Sequence, residues 1–295
     1  MKSRKSFQIK NYIPHALVLS GGALWGCIGL FNRSLAEAGL SVRSIVLVRN
    51  FGSLLVLGVF LLIFDRSVFK IRLKHLPYFF GTGVVSVLLF TLCYFSCQQA
   101  TGSLAVAAVL LYTAPAFVVL LSALLWRERV TKKKLAALIL AFLGCTLVTG
   151  LWSGGGSVSL QGAALGVGSG LFYGLYSIFG RYALRHYKPL TVTFYTFVFA
   201  GLGSLALIDP GELAAAFSLP DTALLAAGLV GISTVAPYLL YTGGLAKLES
   251  GKAAILASIE PVVAALAGVL AFGEPMGWGV VGGLAFILFS VVILG

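Results

Sequence analysis

Long apolar runs, each closed by a short polar or basic stretch, recur from one end of the 295-residue chain to the other. Each run comes near the roughly 20 residues that an α-helix needs to cross about 30 Å of hydrocarbon. The pattern predicts ten spans, at 14–32, 44–64, 76–97, 103–125, 135–151, 161–180, 190–208, 222–245, 253–271 and 276–294. Lipid offers the backbone no hydrogen-bond partner, so runs of this length satisfy it internally as helices rather than strands. The expected fold class is an all-α membrane protein. Trp152 to Gln161, WSGGGSVSLQ, is uncharged and rich in Gly and Ser, as a flexible connection is, and it divides five spans from five.

Composition agrees with lipid as the solvent: 59% of residues are apolar, 10% are charged, and the mean hydropathy is +1.01. A formal charge of +12 would suit a nucleic-acid partner if the basic residues formed one patch. They alternate between connections instead, so no nucleic acid is expected. With the N-terminus in the cytoplasm, all but three of the 21 Lys and Arg fall in inner segments: residues 2–10, 66–74, 127–134 and 181–188, and Lys247 and Lys252. Arg33 and Arg43 lie in an outer loop and Arg49 lies inside the second span. The positive-inside rule then places both termini of a multi-pass cell-membrane protein in the cytoplasm. The basic N-terminus followed by an apolar run also has the look of a signal peptide, with Ala36 and Ala38 flanking Glu37 as a small-x-small site, but the run exceeds the usual 7–15 residues of a signal core.

The two sets of five spans repeat. Gly22, Trp25, Gly26, Phe31 and Arg33 match Gly170, Tyr173, Gly174, Phe179 and Arg181 at an offset of 148; Tyr94 matches Tyr241 at 147; Pro115 and Glu128 match Pro261 and Glu274 at 146. A slowly drifting offset is the trace of a duplication with small loop deletions. Since each half has an odd number of spans, the second enters the membrane inverted, an arrangement typical of transporters.

Those residues, with GGALWG early in the first span, Arg49, the segment from Ser103 through Pro115 to Glu128, and AAILASIEPVVAALAGVLAFGEP from Ala253 to Pro275, resemble the drug/metabolite transporter superfamily, in its EamA type. The resemblance spans essentially the whole chain. It implies two five-helix modules, 1–151 and 162–295 joined by 152–161, and a central cavity lined by helices 1, 3, 4, 6, 8 and 9, with helices 5 and 10 peripheral. It also implies movement of amino acids, related metabolites or drugs, and leaves substrate and direction open.

Candidate chemistry is sparse. Arg49 and Glu260 are the charged side chains expected inside spans, where a central charge costs about 2.5–3.5 kcal/mol on insertion scales and should not face lipid. Arg49 can snorkel to the headgroups or draw in a substrate carboxylate; Glu260 can meet a substrate amine or supply a coupling proton. Trp25, Tyr112, Tyr173, Tyr176 and Tyr238, with Tyr94 and Tyr241, can enclose a substrate and orient it, although Tyr and Trp also anchor helices at interfaces. Pro115, Pro237 and Pro261 each free a carbonyl four residues earlier and predict kinks. Gly162, Gly166, Gly170 and Gly174 form a ridge for close helix approach.

The cysteines, Cys27, Cys93, Cys97 and Cys145, fall inside spans without further ligands, so neither a metal nor a disulfide is expected. Neither an H-E-x-x-H pair nor a P-loop is present, and His15, His75 and His186 fall near the inner surface. No enzyme activity and no cofactor are expected. The leading expectation is a secondary carrier of a small-molecule substrate working by alternating access, with protons as a candidate coupling ion. An intramembrane enzyme, a lipid-handling protein and a non-transporting scaffold are the alternatives, and oligomeric state is not readable.

Overall fold

A computed structural model describes residues 2–102, 104–149, 159–273 and 276–294, with side chains from Tyr12 onward except at 104–105. Most of the 152–161 connection, Ser103, Glu274 and Pro275 lie outside the described residues, as do the side chains of Lys2, Arg4, Lys5 and Lys10. The described chain is helical throughout. Eight stretches are long and apolar enough to cross a membrane: α1 (Tyr12–Glu37), α2 (Val42–Phe64), α3 (Leu73–Thr101), α4 (Val106–Trp126), then α6 (Leu160–Leu184), α7 (Pro189–Leu207), α8 (Thr222–Leu245) and α9 (Ser250–Phe272). Between and after them stand two 17-residue helices, α5 (Lys132–Val148) and α10 (Trp278–Leu294). Such lengths are at the short limit for a crossing.

Local chemistry sets the ends. Side-chain oxygens of Ser41, Thr131 and Ser159 accept from the N–H three residues on and so cap α2, α5 and α6. Gly273 stops α9 in the left-handed region at φ 65°, where glycine pays no Cβ penalty. Its counterpart at offset 146, Arg127, takes the same conformation at φ 55° with a side chain in place.

The exterior is apolar, with Val59, Phe60, Ile63, Leu124, Leu270 and Val292 exposed, while Asn50, Ser53, Thr82, Thr91, Thr196 and Ser204 are buried. Buried hydroxyls and amides join helices directly, as lipid gives no hydrophobic drive for association. Asn50 donates to Ser204 at 2.9 Å between α2 and α7, and Thr196 to Thr82 at 2.8 Å between α7 and α3.

The packing interleaves the halves. Helix α1 lies against α8 and α9, and α6 lies against α3 and α4; α2 pairs with α7, α4 with α9, and α5 with α10. Exchanging the halves maps this set onto itself. Neither half therefore has a core of its own. The glycines permit the closest contacts: a Cβ at Gly26 would sit 2.6 Å from the Glu260 carbonyl and one at Gly22 2.8 Å from that of Ala257, while one at Gly170 would sit 2.4 Å from Thr113 Oγ1 and 2.9 Å from the Leu110 carbonyl.

Each of the three prolines follows an interruption. Helix α4 breaks into a turn at Tyr112–Thr113 before Pro115, α8 widens into a π segment at Gly231–Val235 before Pro237, and α9 tightens into a 3₁₀ turn at Ala257–Ile259 before Pro261. A second π segment, Gly81–Leu89, occupies the corresponding part of α3 with no proline to announce it. In both, a hydroxyl reaches back five residues: Ser86 to the Gly81 carbonyl at 2.8 Å and Thr234 to the Leu229 carbonyl at 2.8 Å.

Candidate functional site

A cavity of about 590 Å³ lies among α1, α2, α3, α4, α6, α8 and α9. It runs along the last turns of α1 and beside α9, where Gly29, Arg33, Ala36 and Ala264 line it and are exposed. Arg49 forms part of one wall. It stands two turns into α2, its Nε donating to Asn50 Oδ1 at 3.4 Å and its Nη2 to Thr91 Oγ1 at 3.4 Å. The residue is only 8% exposed, so the guanidinium turns into the bundle instead of snorkelling outward. Both contacts are long hydrogen bonds to neutral groups.

Glu260 forms part of another wall. The 3₁₀ turn before Pro261 sets its backbone, and its Oε2 accepts from the Tyr173 hydroxyl at 3.3 Å. Arg49 and Glu260 make no ion pair with each other, although both border the same space. Two side chains of opposite charge type thus border one cavity without pairing.

Trp25, Tyr173 and Tyr238 border this cavity and also a second, water-sized void of about 20 Å³ deeper in the bundle. Trp25 meets Tyr238 edge-on at 5.1 Å and Tyr173 at 6.2 Å between centroids, so the three rings form a partition between the two spaces. Below it lie Tyr176, whose hydroxyl bonds Thr242 Oγ1 at 2.6 Å, and Tyr241, which bonds Ser177 Oγ at 2.7 Å.

Two of the residues proposed to line the substrate site do not reach the large cavity. Tyr176 borders the inner void only. Tyr112 packs instead with Cys145, Val262 and Ile287 toward α5, α9 and α10, because one residue beyond cavity-lining Leu111 the helix has turned by about 100°. Of the prolines, Pro115 borders the inner void, whereas Pro237 and Pro261 are buried outside both spaces. Thr91 and Gln98 join Tyr94 on the cavity wall; their i, i+3, i+7 spacing is a polar stripe in an apolar helix, and that was the available signal.

At the opposite end of the bundle a cluster of charges closes over the void. Glu128, directly after the left-handed Arg127, pairs with Arg181 of α6 and accepts from the Ser250 N–H at 3.2 Å. Lys134 of α5 stands 3.6 Å from Glu128 and 2.5 Å from Glu249, and Arg181 stacks over Trp126 at 4.7 Å. The side chains of Glu128 and Lys134 are 6% and 8% exposed. Sequence reasoning placed Lys134 and Arg181 among the inner-segment charges and singled out Glu128 and Arg181 as repeat-matched positions, without bringing them together.

With this geometry in hand, comparison with known proteins is specific. Two tandem matches to the EamA-like transporter family cover residues 13–150 and 160–295. The chain belongs to the EamA-like transporter family. An uncharacterized transporter of Archaeoglobus fulgidus is 33% identical over 287 residues, 97% of each chain. The threonine/homoserine exporter RhtA of Escherichia coli K12 is 30% identical over 187 residues, 63% of this chain and 59% of its own. A solved structure covering 95% of each chain has a TM-score of 0.74 at 19% identity, a likeness of fold alone. This EamA-like protein is accordingly a multi-pass membrane transporter with two EamA halves and not an enzyme, and its substrate is a small molecule.

Proposed function

We propose that this chain is a secondary transporter that carries zwitterionic metabolites, amino acids or close derivatives, across the cell membrane by alternating access. The observation that carries the reading is the placing of Arg49 and Glu260 on walls of one 590 Å³ cavity without contact between them. That volume lies within the roughly 300–1,000 Å³ typical of small-ligand sites. Two opposite charges kept apart in a low-dielectric space are each short of a full partner, and an α-amino acid supplies both: its carboxylate for Arg49, its ammonium for Glu260. Charge-assisted hydrogen bonds of this kind are about twice as strong as neutral ones. Trp25, Tyr173 and Tyr238 would enclose the side chain. RhtA, whose name records export of threonine and homoserine, handles molecules of this class.

In this reading the modules are 1–151 and 162–295, the short helices α5 and α10 also cross the membrane, and the second half is inverted relative to the first. Both termini lie in the cytoplasm, as the Lys and Arg distribution favours. The large cavity then faces outward and the charge cluster faces the cytoplasm. Glu260 also offers an exchangeable proton, released or taken up as the substrate amine binds. Reconstituted liposomes loaded with labelled neutral amino acids test the proposal: the expected outcome is protein-dependent flux that responds to a pH gradient. No flux of any amino acid would overturn it, and scrambling of labelled lipid without solute flux would replace it with lipid handling.

A further inference from the structure

The charge cluster and the large cavity lie at opposite ends of the same path. Starting from the exposed mouth, the cavity reaches the partition of Trp25, Tyr173 and Tyr238; beyond it is the small void bordered by Ala254; beyond that, Glu128, Arg181, Lys134 and Glu249 tie together the ends of α4 and α6 and the starts of α5 and α9. These elements come from both halves. Glu128 and Lys134 are buried, whereas Arg181 and Glu249 are 27% and 51% exposed; buried charges are costly to leave unpaired, so Glu128 and Lys134 favour the arrangement that keeps those four elements together.

Residue offsets add a second, independent observation. Arg181 and Trp126 correspond to Arg33 and Phe272 at offsets of 148 and 146. Both pairs make the same contact, an arginine over an aromatic ring, at 4.7 Å for Arg181 and 4.1 Å for Arg33. Arg33 and Phe272, however, border the open cavity, and Arg33 bonds Glu37 of its own helix at 3.3 Å. One arginine–aromatic pair sits in a sealed end and its equivalent sits at a mouth.

The geometry points to Glu128, Arg181, Lys134 and Glu249 as an inner gate that must part for the substrate to pass, with Arg33 and Phe272 as the matching outer gate. The inference rests on the transporter reading but concerns these residues and not the substrate. Opening the inner gate exposes the void to the end that carries the cluster, and closing the outer pair shuts the mouth. Glu128 alone meets partners from three other helices, α5, α6 and α9, so its contacts couple all of them.

A cysteine at Ala254 reports the gate without any substrate. Sealed vesicles of both orientations are treated with a membrane-impermeant thiol reagent, and labelling above that of the chain's own cysteines is timed. In Glu128→Gln the rate from the cluster side is expected to rise at least about tenfold, since the open form is a minor state of about 0.1–10% before the change. Labelling from the mouth side should not change. Arg181→Lys and Glu249→Gln, which keep most of the cluster, should give smaller rises and serve if Glu128→Gln does not fold. Parental rates in the folded variants, or equal rises from both sides, would overturn the gate. Because the assay needs no transport, its failure is distinct from a failure to find flux.

Discussion

At one end of the bundle Arg181 lies over Trp126 and pairs with Glu128; at the other, Arg33 lies over Phe272 beside an open cavity. The parts descend from one design, yet the environments differ. Lys134 and Glu249, which complete the sealed end, correspond to Val280 at offset 146 and Gly102 at 147. Those two positions thus carry charge at the sealed end and none at the matched places. Even the helix stop differs, with Arg127 where the mouth end has Gly273. The comparison teaches that a repeated frame carries unequal ends: ion pairs tie four elements together at the sealed end, and the equivalent arginine–aromatic pair borders an open cavity. The large cavity departs from symmetry in the same manner: Glu260 lines it, and its equivalent in α4 is Ala114.

The largest way to break the comparison is to attack the shared frame. In Gly170→Leu the new Cβ meets Thr113 Oγ1 at 2.4 Å and two α4 carbonyls at 2.9 and 3.0 Å. Backbone cannot yield as a side chain can, so a loss of about 3 kcal/mol or more is expected, seen as a fall in the detergent melting temperature or in the yield of folded protein. Gly168→Leu, with open space at its Cβ, should keep parental stability. Equal behaviour of the two variants would remove the α4–α6 contact from the account.

Next in size is the asymmetric acid. Glu260→Gln keeps the volume and a hydrogen-bond acceptor for Tyr173 but loses charge and titration. Flux in liposomes is expected to fall by about tenfold or more, the effect of losing one charge-assisted hydrogen bond of about 1.5–3 kcal/mol, and its dependence on a pH gradient should vanish. Full flux with the parental pH profile would take Glu260 out of the mechanism. Arg49→Gln should weaken substrate binding strongly, whereas Arg49→Lys, which keeps a cation but not the bonds to both Asn50 and Thr91, should retain part of it. Smallest of all is Tyr112→Phe: with its ring packed outside the cavity, substrate affinity is expected to stay within a factor of two of the parent's.

How far these features were legible in sequence follows from the physics of each. Apolar runs report the solvent directly, so helices were visible as such, and positions that match at a slowly drifting offset made the two halves visible. Interruptions at Pro115, Pro237 and Pro261 were visible because proline lacks a donor. The π segment at Gly81–Leu89 was not, since it arises from a hydroxyl and local packing without any forbidden residue. Helix rotation decided the aromatics: Trp25, Tyr173 and Tyr238 share a partition, whereas Tyr112 turned away, and a span with polar residues sparse on all sides carries no moment from which to read a facing. The charge cluster was not legible as a cluster because Glu128, Lys134, Arg181 and Glu249 are far apart in sequence: Glu128 and Arg181 stood out as repeat-matched positions and Lys134 as an inner-segment charge, and only the fold brings the four together.

The central claim, a zwitterion held between Arg49 and Glu260, is tested most directly by ligand-dependent thermal stabilisation of the purified transporter. A ligand that binds only the folded state raises its melting temperature by mass action. Three forms of one neutral amino acid are compared at the same concentration: the amino acid itself, its amide with the carboxylate neutralised, and the carboxylic acid with the amine removed. The account predicts stabilisation by the intact zwitterion, little from either analogue, and loss of the zwitterion's effect in both Arg49→Gln and Glu260→Gln. Equal stabilisation by all three forms, or an undiminished effect in the two variants, would contradict it.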